Sequence, residues 1–281
     1  MEGPAQLAAL TSALREELGE AAPILVDQEG GRVARLRPPH WPEYPPPATF
    51  EGGEASAAEA NAARLGADCT AVGLDVVCAP CLDLRLPGQH AIIGDRSFSA
   101  DPAEVARLGA AWVRGLQSSG CIPVIKHIPG HGRALVDSHE SLPRVEASVA
   151  ELAADIAPFR DLARTGAWAM TAHILYAAWD RDLPATLSRT VIDRVIRGEI
   201  GFDGVLVSDD LAMGAMGGLL DDLASAAIGA GCDLVLHCTG VLAESAAILE
   251  RCPPLADRAA HRLEAARAAM LRACRPAPAV A

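Results

Sequence analysis

The chain has 281 residues, of which 51% are hydrophobic and 21% charged, so it can form a sizeable core and is not globally disordered. The 36 acidic residues outnumber the 24 basic ones and give a net charge of −12, which argues against binding to the phosphate backbone of nucleic acids. No segment contains the roughly 20 unbroken apolar residues of a membrane-spanning helix, and the N-terminus is acidic where a signal peptide would be basic. We therefore expect a cytoplasmic protein with no nucleic-acid or membrane partner.

The eight cysteines are scattered through apolar segments, which favours reduced thiols over a disulfide framework. Cys78 and Cys81 form a C-x-x-C pair, but the surrounding sequence is typical of a buried strand. No second such pair stands at the spacing of a zinc ribbon, so no structural metal site is predicted there.

Short apolar runs alternate with helical segments along the whole chain, which predicts one domain over residues 1–281 with a parallel α/β fold, either a barrel or an open sheet. The predicted strands are solid apolar runs, as expected for parallel strands covered on both faces; they are residues 24–27, 74–80, 122–126, 167–173, 204–209 and 232–238. The predicted helices are residues 6–18, 55–72, 101–116, 147–162 and 190–200. Residues 37–47 are proline-rich and predict an extended surface loop, and residues 274–281 predict a disordered tail.

One helix has a clear start signal. Asp101 is placed as the N-cap, Pro102 stands in the first turn, and Glu104 is placed to close a capping box.

Polar side chains follow four of the predicted strands, at DQEGGR (27–32), KHIPGHG (126–132), AHILY (172–176) and SDDLAM (208–213). In α/β barrels the catalytic residues come from the carboxyl ends of several strands. The pattern is therefore typical of a barrel enzyme.

Lys126 is the only lysine in the chain, since the other 23 basic residues are arginines. It stands at a strand end beside His127, where a compact ammonium group could reach sugar hydroxyls that a planar guanidinium would not fit.

Four histidines lie at strand ends or in the loops that follow them: His127, His131, His139 and His173. A zinc site is the competing interpretation of the H-x-x-x-H spacing. The residues between His127 and His131 are Ile-Pro-Gly, which cannot form the interior of a regular helix, so we expect no metal.

Two further sequences carry groups for acid–base or nucleophilic chemistry. In an extended loop, Asp137 and His139 point to the same side, so the carboxylate can orient the imidazole and tune its pKa for proton transfer. Asp209 and Asp210 end a buried strand, where a carboxylate can act as nucleophile or base. The strand alternation does not decide which of the two aspartates faces the site.

Five motifs, in this order between residues 24 and 238, resemble family 3 glycoside hydrolases, and more narrowly the bacterial β-N-acetylglucosaminidases that recycle peptidoglycan: DQEGGRVARL, IIGDRSF, KHIPGHG followed by VDSH, AHILY, and GFDGVLVSDDLAM. The resemblance implies a TIM-type (β/α)8 barrel and retaining hydrolysis of terminal β-linked N-acetylglucosamine. The implied substrate is N-acetylglucosaminyl-anhydro-muramic acid, with or without its peptide. No cofactor or metal is implied.

The same resemblance implies roles for individual residues. Asp209 matches the nucleophile that forms the glycosyl-enzyme, and His139, paired with Asp137, matches the general acid/base in place of a second carboxylate. His173 is expected to line the same pocket. The residues expected to hold the hydroxyl and acetamido groups of the sugar are Asp27, Arg35, Arg96, Lys126 and His127.

The sequence departs from the family pattern at three places. Ile128 stands where phenylalanine is common, and Thr171 where proline is common. More importantly, two strand–helix units normally precede the DQEGGR strand, and here a single helix does, so the expected barrel has six identifiable strands instead of eight. Two missing strands would expose two parallel sheet edges. We favour the explanation that the start of the chain is misassigned. The alternatives are a truncated chain that is stabilised by dimerisation and a decaying remnant. Unless the truncated barrel is real and dimerises, we expect a monomer.

Three alternative functions remain open from the sequence. A phosphorylase of the same fold would form a sugar 1-phosphate, a metal-dependent barrel hydrolase would lose activity with a chelator, and an inactive remnant would bind sugar without hydrolysing it.

Overall fold

Strands and helices alternate along the chain in the computed structural model, which describes residues 2–88, 90–138, 141–214, 216 and 220–273. The strands are β1 (Leu25–Val26), β2 (Val76–Val77), β3 (Ile122–Ile128), β4 (Arg144–Val145), β5 (Trp168–Thr171), β6 (Leu175–Tyr176), β7 (Leu206–Asp210) and β8 (Leu234–Leu236). The α-helices are α1 (Pro4–Leu18), α2 (Ala55–Thr70), α3 (Pro102–Ser118), α4 (Val149–Leu162), α5 (Leu220–Ala230), α6 (Leu242–Arg251) and α7 (Asp257–Ala273). Short 3-10 helices span Pro47–Phe50 and Gly94–Arg96, and Val191–Glu199 forms a π-helix.

Six parallel strands form one sheet in the order β1-β2-β3-β5-β7-β8, and β4 pairs with β6 in a separate parallel ladder. Val26 of β1 and Leu236 of β8 line the same cavity, so the sheet curls toward closure. Within the described part of the chain, β1 and β8 are its two edges. The expected six-stranded, incomplete TIM-type barrel is thus confirmed. Every strand of the six-stranded sheet lies at its predicted place, although most are shorter than the apolar runs, whereas β4 and β6 were not predicted.

The core has two layers, one between the sheet and its outer helices and one inside the curl. The inner layer includes Ile122 and Trp168, the first residues of β3 and β5, and Val205, which directly precedes β7, and Ala266 of α7 belongs to the same cluster. Helix α7 therefore closes the amino end of the sheet. This helix was not predicted from the sequence, because its alanine- and arginine-rich composition shows little apolar patterning.

The helix signals were partly correct. The Asp101 side chain accepts from the Ala103 N–H at 2.9 Å and caps α3 as predicted. The predicted capping box is wrong, because the Glu104 carboxylate instead binds Arg107 and the Gly52 N–H, 2.7 and 2.9 Å away. The predicted helix at 190–200 forms as the π-helix. The tail at 274–281 lies outside the described residues.

None of the helices that the structure describes is both long enough and apolar enough to cross a membrane.

Candidate active site

The carboxyl ends of the strands surround a cavity of about 450 Å³, into which residues from β1, β3, β7 and β8 project. Its walls include Asp27, Arg35, Lys126, His127 and Asp209, which come from three of the motifs singled out above. Arg96 joins them from the 3-10 helix that follows β2. Side chains up to 182 residues apart in sequence therefore meet because parallel strands end at the same rim.

The loop after β1 is held by a buried glutamine. The Gln28 side-chain oxygen accepts from the N–H groups of Arg35 and Leu36 at 2.7 and 3.0 Å, and its amide donates to the Leu36 carbonyl at 3.1 Å. Gly30 lies in this loop at φ 96°, and a Cβ there would overlap the Pro45 carbonyl oxygen. These contacts fix the segment that presents Asp27 and Arg35 to the cavity.

One row of alternating charges connects the predicted sugar-binding residues. Arg35 donates to Asp27 at 3.2 Å, and the other Asp27 oxygen accepts from the Lys126 Nζ at 3.1 Å. The Lys126 Nζ also lies 2.6 Å from Glu29, whose two oxygens accept from the Nε and Nη2 of Arg96, each at 2.9 Å. The structure thus brings together residues that the sequence placed in three separate motifs.

His127 extends this row toward Asp209. Its Nδ1 donates to Asp83 at 2.6 Å, which leaves Nε2 facing the cavity, 3.4 Å from the Arg96 Nη2 and 4.0 Å from the Asp209 Oδ2. Asp83 also accepts from the backbone N–H groups of His127 and His131. Burial alone would raise the pKa of Asp83, but these two histidines hold it well below its usual range. Asp83 is therefore an anion that fixes the orientation of the His127 ring.

Asp209 and Asp210 have different surroundings, although both border the cavity. The Asp210 carboxylate accepts from the N–H groups of Ala212 and Cys238 at 3.0 and 3.1 Å, so it ties the end of β7 to the end of β8. Asp209 accepts from the Asp210 N–H at 2.9 Å, and its other oxygen faces His127. The Asp210 carboxylate thus links two strands, whereas the Asp209 Oδ2 faces His127 across the cavity, which favours Asp209 as the group that meets a ligand.

Asp209 is ionised at neutral pH. Burial would raise the pKa of this carboxyl group, but His127, His173, the Asp210 N–H and Lys126 together lower it below its usual value. A carboxylate in a cavity lined by hydrogen-bond donors is suited to attack an electrophilic carbon.

His173 lies behind the cavity instead of lining it, contrary to the prediction. Its Nε2 lies 3.0 Å from the Asp210 carbonyl oxygen and its Nδ1 lies 2.8 Å from the Thr186 hydroxyl, so both ring nitrogens are occupied. Burial lowers the pKa of His173, which disfavours the charged form of the ring. The ring therefore supports the backbone of Asp210 and does not reach into the pocket.

The predicted acid/base pair is described only in part. Asp137 belongs to the described residues and accepts a backbone hydrogen bond from Ser141 at 3.1 Å, whereas His139 lies outside them. Ser138, directly before His139, lines the cavity, and its hydroxyl lies 3.2 Å from the Nε2 of the buried His131. The described part of this loop therefore reaches the cavity at Ser138.

Cys81, Asp83 and His127 form the one cluster in the described part of the chain whose donor atoms lie close enough to hold a metal ion. The Cys81 thiol donates to Asp83 at 3.2 Å, and Asp83 accepts from His127 as well. Burial raises the pKa of Cys81 well above its usual value, which disfavours the thiolate that a metal would need. Hydrogen bonding accounts for this cluster.

The comparisons with known proteins agree with this arrangement. The family model of the glycosyl hydrolase family 3 N terminal domain matches residues 2–270. The chain belongs to this family. A β-hexosaminidase of Alkalilimnicola ehrlichii is 41% identical over 248 residues, which cover 84% of this chain and 70% of that protein.

Two solved structures share the fold at similar identity. NagZ from Neisseria gonorrhoeae in complex with N-trifluoroacetyl-D-glucosamine has a TM-score of 0.86 at 34% identity, covering 98% of this chain and 84% of the other. A family 3 β-N-acetylglucosaminidase from Paenibacillus has the same TM-score at 35% identity. The match covers 99% of this chain but only 56% of the Paenibacillus chain. The expected enzyme class, a glycoside hydrolase of the β-N-acetylhexosaminidase type, is confirmed.

Two residues of this family 3 site were missed in the sequence. Glu29 and Asp83 are fully buried carboxylates that join the predicted binding residues to one another. Asp83 lies in the apolar run CAPCLDL, and a lone acid in such a run must find a charged or hydrogen-bonding partner. Glu29 stands two residues after Asp27, within a motif that had already been singled out. The sequence therefore contained a reason to single out each carboxylate, but it did not show which basic residues Glu29 and Asp83 would bind.

Proposed function

We propose that this family 3 protein is a retaining exo-β-N-acetylglucosaminidase that removes terminal β-linked N-acetylglucosamine from peptidoglycan fragments. The observation that carries the proposal is the ionised Asp209 at the cavity wall, facing His127 and the row of charges beside it. The relative from Neisseria, which binds N-trifluoroacetyl-D-glucosamine, supports the choice of sugar.

In the proposed reaction, Asp209 attacks the anomeric carbon and the glycosidic bond breaks. His139, oriented by Asp137, donates a proton to the departing oxygen, which leaves as an alcohol, and a covalent glycosyl-enzyme forms. His139 then removes a proton from water, which displaces Asp209 and releases the sugar with its original β configuration. Asp27, Arg35, Arg96, Lys126 and His127 hold the sugar hydroxyl and acetamido groups during both steps.

The charge of the site favours water over phosphate as the second reactant. The row contains three permanent cations, Arg35, Lys126 and Arg96, against the carboxylates Asp27, Glu29, Asp83 and Asp209. Each cation is already paired with at least one carboxylate. An incoming phosphate dianion would therefore gain little attraction and would meet the charge of Asp209. We accordingly propose hydrolysis, although a histidine acid/base alone would also suit a phosphorylase.

We further propose that the protein acts as a monomer in the cytoplasm. The proposal is supported by the seven free cysteines in the described part of the chain, five of which are buried in apolar surroundings, an arrangement that suits a reducing compartment.

The test uses the 281-residue chain with a chromogenic β-N-acetylglucosaminide, with and without added phosphate. We expect turnover that phosphate does not change and that Asp209→Asn lowers by at least about a thousandfold. The matched variant Asp210→Asn should lose much less activity, because that carboxylate binds only backbone N–H groups. Thermal unfolding of each variant verifies that it is folded.

Three outcomes would contradict the proposal. Formation of sugar 1-phosphate would identify a phosphorylase. Loss of activity in Asp210→Asn with survival in Asp209→Asn would move the nucleophile to Asp210. A folded wild-type chain that binds N-acetylglucosamine without turnover would be an inactive remnant.

A further inference from the structure

Glu29 lies behind the wall of the cavity and touches two groups that form it. Its side chain is fully buried and is absent from the cavity lining, whereas Arg96 and Lys126 both belong to that lining. The Glu29 oxygens accept two parallel hydrogen bonds from the Arg96 guanidinium, and one of these oxygens also lies 2.6 Å from the Lys126 Nζ. The Glu29 side chain therefore acts on the cavity through these two cations.

The energetics show that the three charges depend on one another. Burial alone would raise the pKa of Glu29, but Lys126 and Arg96 lower it to about 2. Burial would likewise lower the pKa of Lys126, which Asp27 and Glu29 instead raise above its usual value. Because only 2% of the surface of Lys126 is exposed, its positive charge depends on these carboxylates.

The geometry shows what Glu29 leaves available to a ligand. An ammonium group has three N–H donors, and two of those on Lys126 point at Glu29 and Asp27, which leaves one for the cavity. The Arg96 guanidinium uses its Nε and Nη2 edge on Glu29, and its Nη2 also approaches His127. A fork bound along two parallel hydrogen bonds cannot rotate, so the side of Arg96 that faces the cavity is fixed.

We propose that Glu29 is a positioning residue that holds the Lys126 ammonium and the Arg96 guanidinium in the orientation in which they bind the sugar. Its effect on kinetics rests on the proposed function, whereas its effect on Lys126 does not. The substitution Glu29→Gln keeps the shape but turns an amide N–H₂ toward one of the two cations, so at least one of them must move.

The single lysine makes a direct test possible. In protein labelled with carbon-13 at lysine Cε, Lys126 gives the only lysine side-chain NMR signal, because the chain has no other lysine. We expect Glu29→Gln to shift this signal. The matched control is Glu59→Gln, which removes a half-exposed partner of Arg114 on the outside of the fold and should leave the signal unchanged. A Lys126 signal that stays in place in folded Glu29→Gln would overturn the proposal.

Kinetics then separate positioning from a purely structural role. For Glu29→Gln we expect kcat/KM on a β-N-acetylglucosaminide to fall about 10- to 100-fold, whereas Glu59→Gln should match the wild type. In the double variant Glu29→Gln with Lys126→Met, the loss should be clearly smaller than the product of the two single losses, because Glu29 acts partly through Lys126.

Each result has a definite meaning. Multiplicative losses in the double variant, or a lower unfolding temperature with unchanged kcat/KM, would show that Glu29 only supports the fold and would overturn the proposal. If the wild-type chain has no activity, the proposed function fails, and the lysine signal alone decides the role of Glu29.

Discussion

The centre of the sheet and its β8 edge are built differently. All seven residues of β3 are buried, whereas all three of β8 are partly exposed. Helix α3, which packs near the centre, buries ten residues, and α6, next to the edge, buries only Ile248 among its described residues. The difference arises because β3 has a strand on each side, while β8 pairs only with β7 in the described structure.

The residues of the candidate site come from both of these regions. Lys126 and His127 stand on β3, in the rigid centre, while Asp209 and Asp210 end β7, one strand from the edge. The Asp210 carboxylate joins β7 to β8 through the Cys238 N–H. The proposed sugar-binding residues on β3 are therefore held by packing, whereas the position of Asp209, the proposed nucleophile, depends partly on how well the edge strand is held.

The contrast between the buried part of the sheet and its β8 edge can be tested with a matched pair of leucine-to-alanine substitutions. Of the stability predictions, this pair has the largest expected effect. Leu206 of β7 is fully buried, and Leu234 of β8 is only partly buried. We expect Leu206→Ala to lower the free energy of unfolding by about 3 to 5 kcal/mol and Leu234→Ala by about 1 to 2 kcal/mol. Denaturant titration measures both values.

Equal losses in the two variants would show that the β8 edge is not loose in solution. Repeating the titration at several protein concentrations would then identify the cause, since an edge covered by a second copy gives a stability that rises with concentration.

A smaller effect than that of the leucine truncations is expected in the pH dependence of stability, and it arises from a buried histidine beside β3. Burial is the main cause that lowers the pKa of His131 to about 4, and proximity to His127 adds to it. In the unfolded chain a histidine titrates near 6.5, so the unfolded state binds more protons between these values and stability falls as the pH falls. We expect His131 to account for a loss of about 3 kcal/mol between pH 6.5 and pH 4.

Unfolding is measured from pH 7 to pH 4.5, largely above the range in which Glu29, with its pKa lowered to about 2, contributes. His173, whose pKa burial also lowers, contributes with the same sign, so the variant of His131 is needed to isolate its share. His131→Gln should flatten the slope, and His261→Gln on the exposed face of α7 should not. An unchanged slope in His131→Gln would show that the buried ring does not control acid stability.

The sequence predicted the sheet better than it predicted the site. The six strands of the main sheet were found as apolar runs, because a parallel strand covered on both faces consists almost entirely of hydrophobic residues. Helix α7 was missed because it packs through small residues such as Ala266. The motifs identified Asp27, Lys126 and Asp209, but they did not reveal that Glu29 and Asp83 connect them. His173 was predicted at the correct strand end, but its ring lies behind the cavity instead of lining it. A strand pattern does not specify which groups a histidine ring will contact.

The identity of the nucleophile is tested most directly by trapping it. The intact 281-residue chain would be incubated with a ring-fluorinated N-acetylglucosaminyl fluoride, which slows the second step more than the first, and then digested for tandem mass spectrometry. The account predicts a single N-acetylglucosaminyl adduct on the Asp209 carboxylate, absent in Asp209→Asn. An adduct on Asp210, or turnover with no covalent adduct, would contradict it.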